Sequence, residues 1–371
     1  VNNYTIVSVN VSEIVAATPN GLQSTGCIVS QGSTTLTAGH NALLTQASDY
    51  TALLSGTPEL HVQNAVTDFF AQGNTQSVYI LELGTESSST SGIADLATYI
   101  ANPTKRFYTY LCPQAWDGIS SFVTLTGLYA APTAMTYFFI DTTTLPVTGT
   151  PYVSPYASKA VICSATQTES TESPSAALMY NVLNSAPSET NKLAPFAFRF
   201  VYALSVLNVT NPARQSLGAA FVNYIGTGAE GGISNTIVFG GVTSDGKDMM
   251  QWYAVDWVQI NAAQAIANAV INGSNNAQNP LYYNQAGINT VENVAQNVMN
   301  SSTSFGLTNG SPQVTAVPFL TYINAHPNDY GVGLYSGLAV TMVPNRGFKN
   351  IVFNLTVDFS GQSLLTTTTT L

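Results

Sequence analysis

At 371 residues the chain is long enough to bury a full core, and two domains is the natural expectation. Only 8% of it is charged, against about 25% in ordinary soluble proteins. A net charge of −10 with nine Lys and Arg excludes the basic stripe that a nucleic acid partner needs, and no apolar run is long enough for membrane insertion.

The first residues, "VNNYTIVSVNVSEIV", alternate Val7, Val9 and Val11 with Ser8, Asn10 and Ser12, the period of a half-buried strand. They lack the basic start and apolar centre of a signal peptide. Cys27 to Val29 reads as a buried strand, and Leu43, Leu44, Ala47, Tyr50, Leu53 and Leu54 share the face of a helix. Thr57 and Pro58 predict the start of a second helix, with Val62, Ala65, Val66, Phe69 and Phe70 as its apolar stripe and Gly73 as its stop. Val78 to Leu83 is the next strand. A helix through Ile93, Leu96, Ala97 and Ile100 follows, then the strands "RFYTYL", "TYFFID" and "KAVICSA" and a helix opened by Ser173 and Pro174. Strand and helix alternate to about residue 200, which predicts an α/β layer structure.

Asn211 and Pro212 open a helix expected to carry Leu217, Ala220, Phe221 and Tyr224 and to end at Gly226. The strand "NTIVFGG", a long helix from about Gln251 to Asn272 and a second through Ile288, Val291, Ala295 and Val298 come next. "TAVPFLTYI" and "GLAVTMV" read as strands. In the last, Ile351, Phe353, Leu355, Val357 and Phe359 alternate with polar or small partners over nine residues, before a threonine-rich tail.

Chemistry-bearing motifs are weak. "GTGAEGG" at Gly226 to Gly232 has dinucleotide-loop spacing, but a helix is expected before it and a strand after it, the wrong context for a pyrophosphate site. His40, His61 and His326 stand alone, with no metal-ligand spacing. Asp245 and Asp248 flank Lys247 and read as a solvated loop. No catalytic residue, cofactor or metal is expected. Cys27, Cys112 and Cys163 read as buried thiols of a reducing compartment, a bridge between subunits being the alternative. Asn-x-Ser/Thr triplets at Asn10 and Asn354 fall inside expected strands, a poor place for a glycan, and weaken a secreted reading.

The last strand could close a hairpin with "GLAVTMV", but that partner is shorter, and the N-terminal strand has no neighbour in sequence. Two patterned, unpartnered terminal strands suggest donation to other subunits, where backbone hydrogen bonds and side-chain pockets hold them. Burying five such side chains at about 1.5–3 kcal/mol each gives a gross term near ~10 kcal/mol before ordering costs.

At this point the residues carry a resemblance. "LHVQNAVTDFFAQGNTQSVYILELG" and "FVNYIGTGAEGGISNTIVFGGVTSDGKDMMQWYAVDWVQINAAQAI", together with the two terminal strands, resemble the contractile tail sheath proteins of bacteriophages. The resemblance implies a two-domain α/β (α+β) sheath-type fold. Residues 1–20 would be an N-terminal arm, 21–205 an outer α/β domain, 206–347 an inner domain facing a tube, and 348–371 a C-terminal arm. It implies a homopolymer of stacked rings in a virion tail, assembled in the host cytoplasm, with an inner tube protein, baseplate and tail terminator as partners. Tyr4, Ile6, Val7, Val9 and Val11 would link to one neighbour and Ile351, Phe353, Leu355, Val357 and Phe359 to another. Asp248, Asp256 and Trp257 would face the tube. A secreted or surface adhesin is the alternative, and an α/β enzyme a third reading.

Overall fold

The structure, a computed structural model, describes residues 21–147, 150–167, 171–228, 234–355 and 357. Its body is an eight-stranded sheet of β1 (Gly26–Ser30), β2 (Asn41–Leu44), β3 (Val78–Glu82), β4 (Thr109–Leu111), β5 (Tyr137–Thr142), β6 (Val161–Ala165), β7 (Asn223–Thr227) and β8 (Thr236–Phe239). The spatial order is β2-β3-β1-β4-β5-β6-β7-β8. The central strands β3 to β7 run parallel, while β2 and β8 close the two edges antiparallel. Parallel strands are covered on both faces, which is why β1, β5 and β6 read as continuous apolar runs without alternation.

Helices α1 (Ala47–Leu53), α2 (Leu60–Ala71) and α5 (Pro174–Leu183) share one core with Ile28, Ile80, Tyr137 and Phe139. Helices α3 (Ser89–Ala101), α4 (Ser120–Gly127) and α6 (Asn211–Ala219) share the other with Val29, Phe138, Ile140 and Cys163. The local causes are visible. Asp141, at the end of β5, accepts the Ser175 amide (2.9 Å) and the Ser173 hydroxyl (2.6 Å), and Asp68 accepts the Ser173 amide (2.6 Å), so two carboxyls fix the start of α5. Gly73, at φ 153°, turns the chain from α2 toward β3 where a Cβ would lie 2.4 Å from the Tyr180 hydroxyl.

Helix α7 (Met249–Asn275) starts at Asp248, whose side chain forms a capping box with Gln251. At 27 residues it is about 40 Å long. Its buried positions run from Met249 to Asn261, so the first half completes the body's core and the second half leaves it. There it packs against α8 (Gln285–Ser304), which carries two small ladders: β9 (Thr308–Asn309) with β12 (Val343–Pro344), and β10 (Val314–Ala316) with β11 (Leu338–Val340). Helices α9 (Phe319–Ala325) and α10 (Pro327–Val332) connect β10 to β11.

Several expectations need correcting. Leu43 and Leu44 belong to β2, not to a helix, and α2 is capped by Glu59 rather than Thr57. Helix α6 stops at Ala219, and Tyr224 and Gly226 lie in β7, so a strand rather than a helix precedes "GTGAEGG". The next described element is β8, antiparallel to β7, and not the helix start that a nucleotide needs. "TAVPFLTYI" is a strand only to Ala316: Pro318 has no amide to continue a ladder and instead caps α9. The sheet also runs across residue 206, because β7 and β8 pair into the same sheet as β1 to β6.

Candidate assembly surface

The C-terminal segment leaves the molecule from a well-tied root. The Asn345 amide donates to the Leu307 carbonyl and its side-chain amide to the Gly306 carbonyl, both at 2.9 Å. Arg346 Nε meets Asp248 Oδ2 at 2.9 Å, and Lys349 Nζ lies 2.5 Å from Asp248 Oδ1. One buried carboxylate at the start of α7 therefore holds two cations of the segment. The expectation of a solvated Asp248 is corrected: its side chain is 7% exposed.

Beyond Lys349 the described residues carry no such tie. Residues 350–355 take no regular structure. Phe348 is 80% exposed, Phe353 83% and Leu355 71%, with Ile351, Val352 and Val357 exposed alongside. Among the described residues the segment forms no hairpin with "GLAVTMV", whose strands β11 and β12 pair with β10 and β9. Of the expected linking residues, Ile351, Phe353, Leu355 and Val357 are described; Phe359 and all of Tyr4, Ile6, Val7, Val9 and Val11 lie outside the described residues.

Strand edges are open elsewhere on the surface. The outer edge of β8 is taken by residues 198–201, through Phe198 and Val201 amides donating to Val238 and Thr236 carbonyls at 2.7 and 3.0 Å. Among the described residues the β10–β11 ladder has two strands, leaving an outer edge on each. Around it Val317, Leu320, Val332, Leu334 and Val340 are exposed. Exposed apolar side chains beside open edges mark a surface suited to strand addition.

Asp256 and Trp257, expected at a tube, are interior side chains at 0% and 1% exposure, and Asp248 is nearly as enclosed. The correction has a physical reason: α7 turns this stretch onto the sheet. Asp256 Oδ2 accepts the hydroxyls of Tyr108 (2.8 Å) and Tyr137 (2.7 Å). Burial pushes its carboxyl up to about 6, opposed by the Lys159 cation and the two hydroxyls. Lys159 in turn donates to the Ala134 carbonyl and lies 4.7 Å from the Trp252 ring. Trp257 meets Phe305 edge-on at 5.5 Å, joining α7 to the end of α8. Cys27, Cys112 and Cys163 are free and buried, and burial raises all three thiols.

Among the described residues no group of His, Cys, Asp and Glu is arranged to hold a metal ion, and no helix is long and apolar enough to cross a membrane. Sequence reasoning missed the clasp at Asp248 and an aromatic pocket beside it. The singly spaced cations Arg346 and Lys349, facing a residue about a hundred positions away, left no pattern to find.

No protein-family model and no curated protein matches the sequence. Solved structures do. The chain is similar to the helical sheath of the anti-feeding prophage in its contracted state, with TM-score 0.63 and 16% identity over 96% of this chain and 100% of that one. A chain of the anti-feeding prophage baseplate in its contracted state gives 0.61 and 13%, over 97% and 100%. The sheath tail protein of Listeria innocua gives 0.56 and 9%, over 81% and 90%. The fold is that of contractile tail sheath proteins, mixed α/β around a large parallel sheet.

Proposed function

Starting from that fold, we propose that the chain is the structural subunit of a contractile tail sheath, polymerising as stacked rings around an inner tube and shortening to drive the tube through a bacterial envelope. The observation that carries the reading is the C-terminal segment: rooted on Asp248, then apolar, exposed and unpaired over its described residues, 351–355. A strand of this kind is stable only when another sheet edge receives it, and the open edges of β10 and β11 on a second copy offer the backbone groups and apolar surroundings it needs. The N-terminal residues 1–20 would link to a different neighbour. The lobe formed by α8, the outer half of α7 and the small ladders would be the inner part, and the eight-stranded body the outer part. Tail tube, baseplate and terminator proteins would be the partners, in a virion or phage-like particle.

No nucleotide is required if the extended lattice is metastable and contraction makes more subunit contacts than it breaks. The likeness in fold to a helical sheath and to sheath tail proteins supports the reading, as does the low surface charge, which lets many copies pack closely. Electron microscopy of the purified protein tests it. Hollow tubes or stacked rings are expected; discrete particles of one chain at high concentration would remove the sheath reading.

A further inference from the structure

Helix α6 ends against the preference of its own residues. After Ala219 the Phe221 amide donates to the Gly218 carbonyl (3.1 Å) and the Val222 amide to the Leu217 carbonyl (3.0 Å). This is the Schellman pattern, and Phe221 stands at φ 58° where glycine is usual. Phe198, at φ 62°, breaks the same rule. Strain of this kind is kept where something other than local preference selects the residue. Opposite Phe221 the chain supplies the missing glycine: a Cβ on Gly246 would lie 2.7 Å from the Phe221 ring. Gly246, itself at φ 83° where glycine is favoured, leaves room for the ring, so a bulky side chain stands at a helix stop where glycine is usual and packs against a glycine.

The two strained rings are each 41% exposed and line one cavity of about 340 Å³ with Tyr224 and Phe239. Tyr224 and Phe239 stack at 5.1 Å, and Phe198 stands edge-on to Phe239 at 5.5 Å. Arg346 and Lys349 also line it. They share the single carboxylate of Asp248, and the adjacent Lys247–Asp245 pair cancels, so the mouth carries one net positive charge. The occupant that fits is an aromatic side chain next to a carboxylate.

We propose that this pocket is a socket for the C-terminal segment of a second copy of the chain, taking its Phe359 ring among Phe198, Phe221, Tyr224 and Phe239 and its Asp358 carboxylate against Arg346 and Lys349. Among the segments that lie outside the described residues, only Asp358–Phe359 puts an acidic residue directly beside an aromatic one. Ten residues separate Lys349 from Phe359, an extended reach of about 33–36 Å, enough to cross to an adjacent subunit. The socket rests on the sheath reading only for the arrangement of the neighbour, and it assigns the far end of the segment a pocket of its own in addition to a sheet edge.

The test uses two full chains, one carrying Gly218→Cys and the other Ser360→Cys. Gly218 is exposed, lines the cavity and has open space for a Cβ, while the three native thiols are buried. Mixed under mild oxidation, the two chains should form a disulfide-linked dimer. Adding Phe359→Ser should reduce its yield at least about tenfold, and Phe359→Tyr should retain it. Tubes seen by electron microscopy without the cross-link would overturn the socket and leave the sheath reading standing. Cross-linked dimers without tubes would support the socket and remove the sheath reading. A chain carrying both cysteines that closes on itself at high dilution would show the pocket serving its own segment and would also overturn the proposal.

Discussion

Strand β5 and the segment 351–357 are made of the same materials and meet opposite fates. "YFFIDT" has every residue buried, with Phe138, Phe139 and Ile140 at 0% exposure. "IVFNL" has Phe353 and Leu355 more than two-thirds exposed. β-Propensity and hydrophobicity do not separate them. Partners do: β5 has β4 and β6 along its edges and helices on both faces, while the segment has only its root at Asp248. An apolar strand without a partner in its own chain is a liability in a monomer and a connector in a polymer.

The sharpest way to break this comparison is to truncate a ring in each region. Phe139→Ala removes a fully buried ring and should cost the folded body about 3–5 kcal/mol, read from urea unfolding at concentrations where the chain is monomeric. Phe353→Ala should stay within about 0.5 kcal/mol of the parent in the same experiment. A comparable loss for both would place the segment inside the monomer's fold.

Register comes next. If Phe353, Leu355 and Val357 face a neighbour's interior, Leu355→Lys buries an unpaired charge and should abolish assembly, whereas Asn354→Lys points the other way and should only weaken it. Sedimentation reads both, and circular dichroism should show each monomer folded. Equal effects of the two substitutions would mean that the strand has no fixed register.

Smaller effects lie at the root. Asp248→Ala removes the cap of α7 and leaves Arg346 and Lys349 without their carboxylate, so a loss of about 1–2 kcal/mol is expected. Arg346→Ala, whose side chain is 57% exposed, should cost less than about 1 kcal/mol. Urea midpoints distinguish the two, and the reverse order would show the clasp to be centred on the arm and not on the helix.

The smallest contrast is in pH. Burial raises Asp68 to about 7 and Asp141 to about 6, whereas the segment from Asn345 to Val357 has no carboxylate. For Asp68, a folded value above the unfolded 3.8 means that its contribution is fully present below about 4 and is lost as the pH rises to about 7. Asp68→Asn keeps an oxygen for the Ser173 amide, so its melting temperature should match the parent at pH 4, gain on it up to pH 7 and hold level above. A gap independent of pH would mean that Asp68 acts through packing alone.

Much of the body was legible because its signals are local. Apolar runs gave β1, β3, β5 and β6, and the stripe from Val62 to Phe70 gave α2. Phe221 and Tyr224 were misread as helix because their spacing fits a helical face, whereas the chain reverses at φ 58° and enters β7. The interior place of Asp256 could not be read, since its partners Tyr108, just before β4, and Tyr137, in β5, lie more than a hundred residues earlier. The segment after Lys349 was legible as an apolar, patterned strand, yet only the structure shows that β11 and β12 pair with β10 and β9 and that residues 350–355 take no regular structure.

The central claim is that the C-terminal segment serves other copies of the chain and not its own. Its most direct test is the chain ended after Phe348, which keeps Arg346 on Asp248 and removes everything from Lys349 onward. Analytical ultracentrifugation and thermal melting should be run side by side with the parent. The account predicts a monomer that melts within about 2 °C of the parent's monomer, the shift expected for less than about 0.5 kcal/mol, and forms no tubes at any concentration. Tubes from the truncated chain, or a monomer that no longer folds, would contradict it.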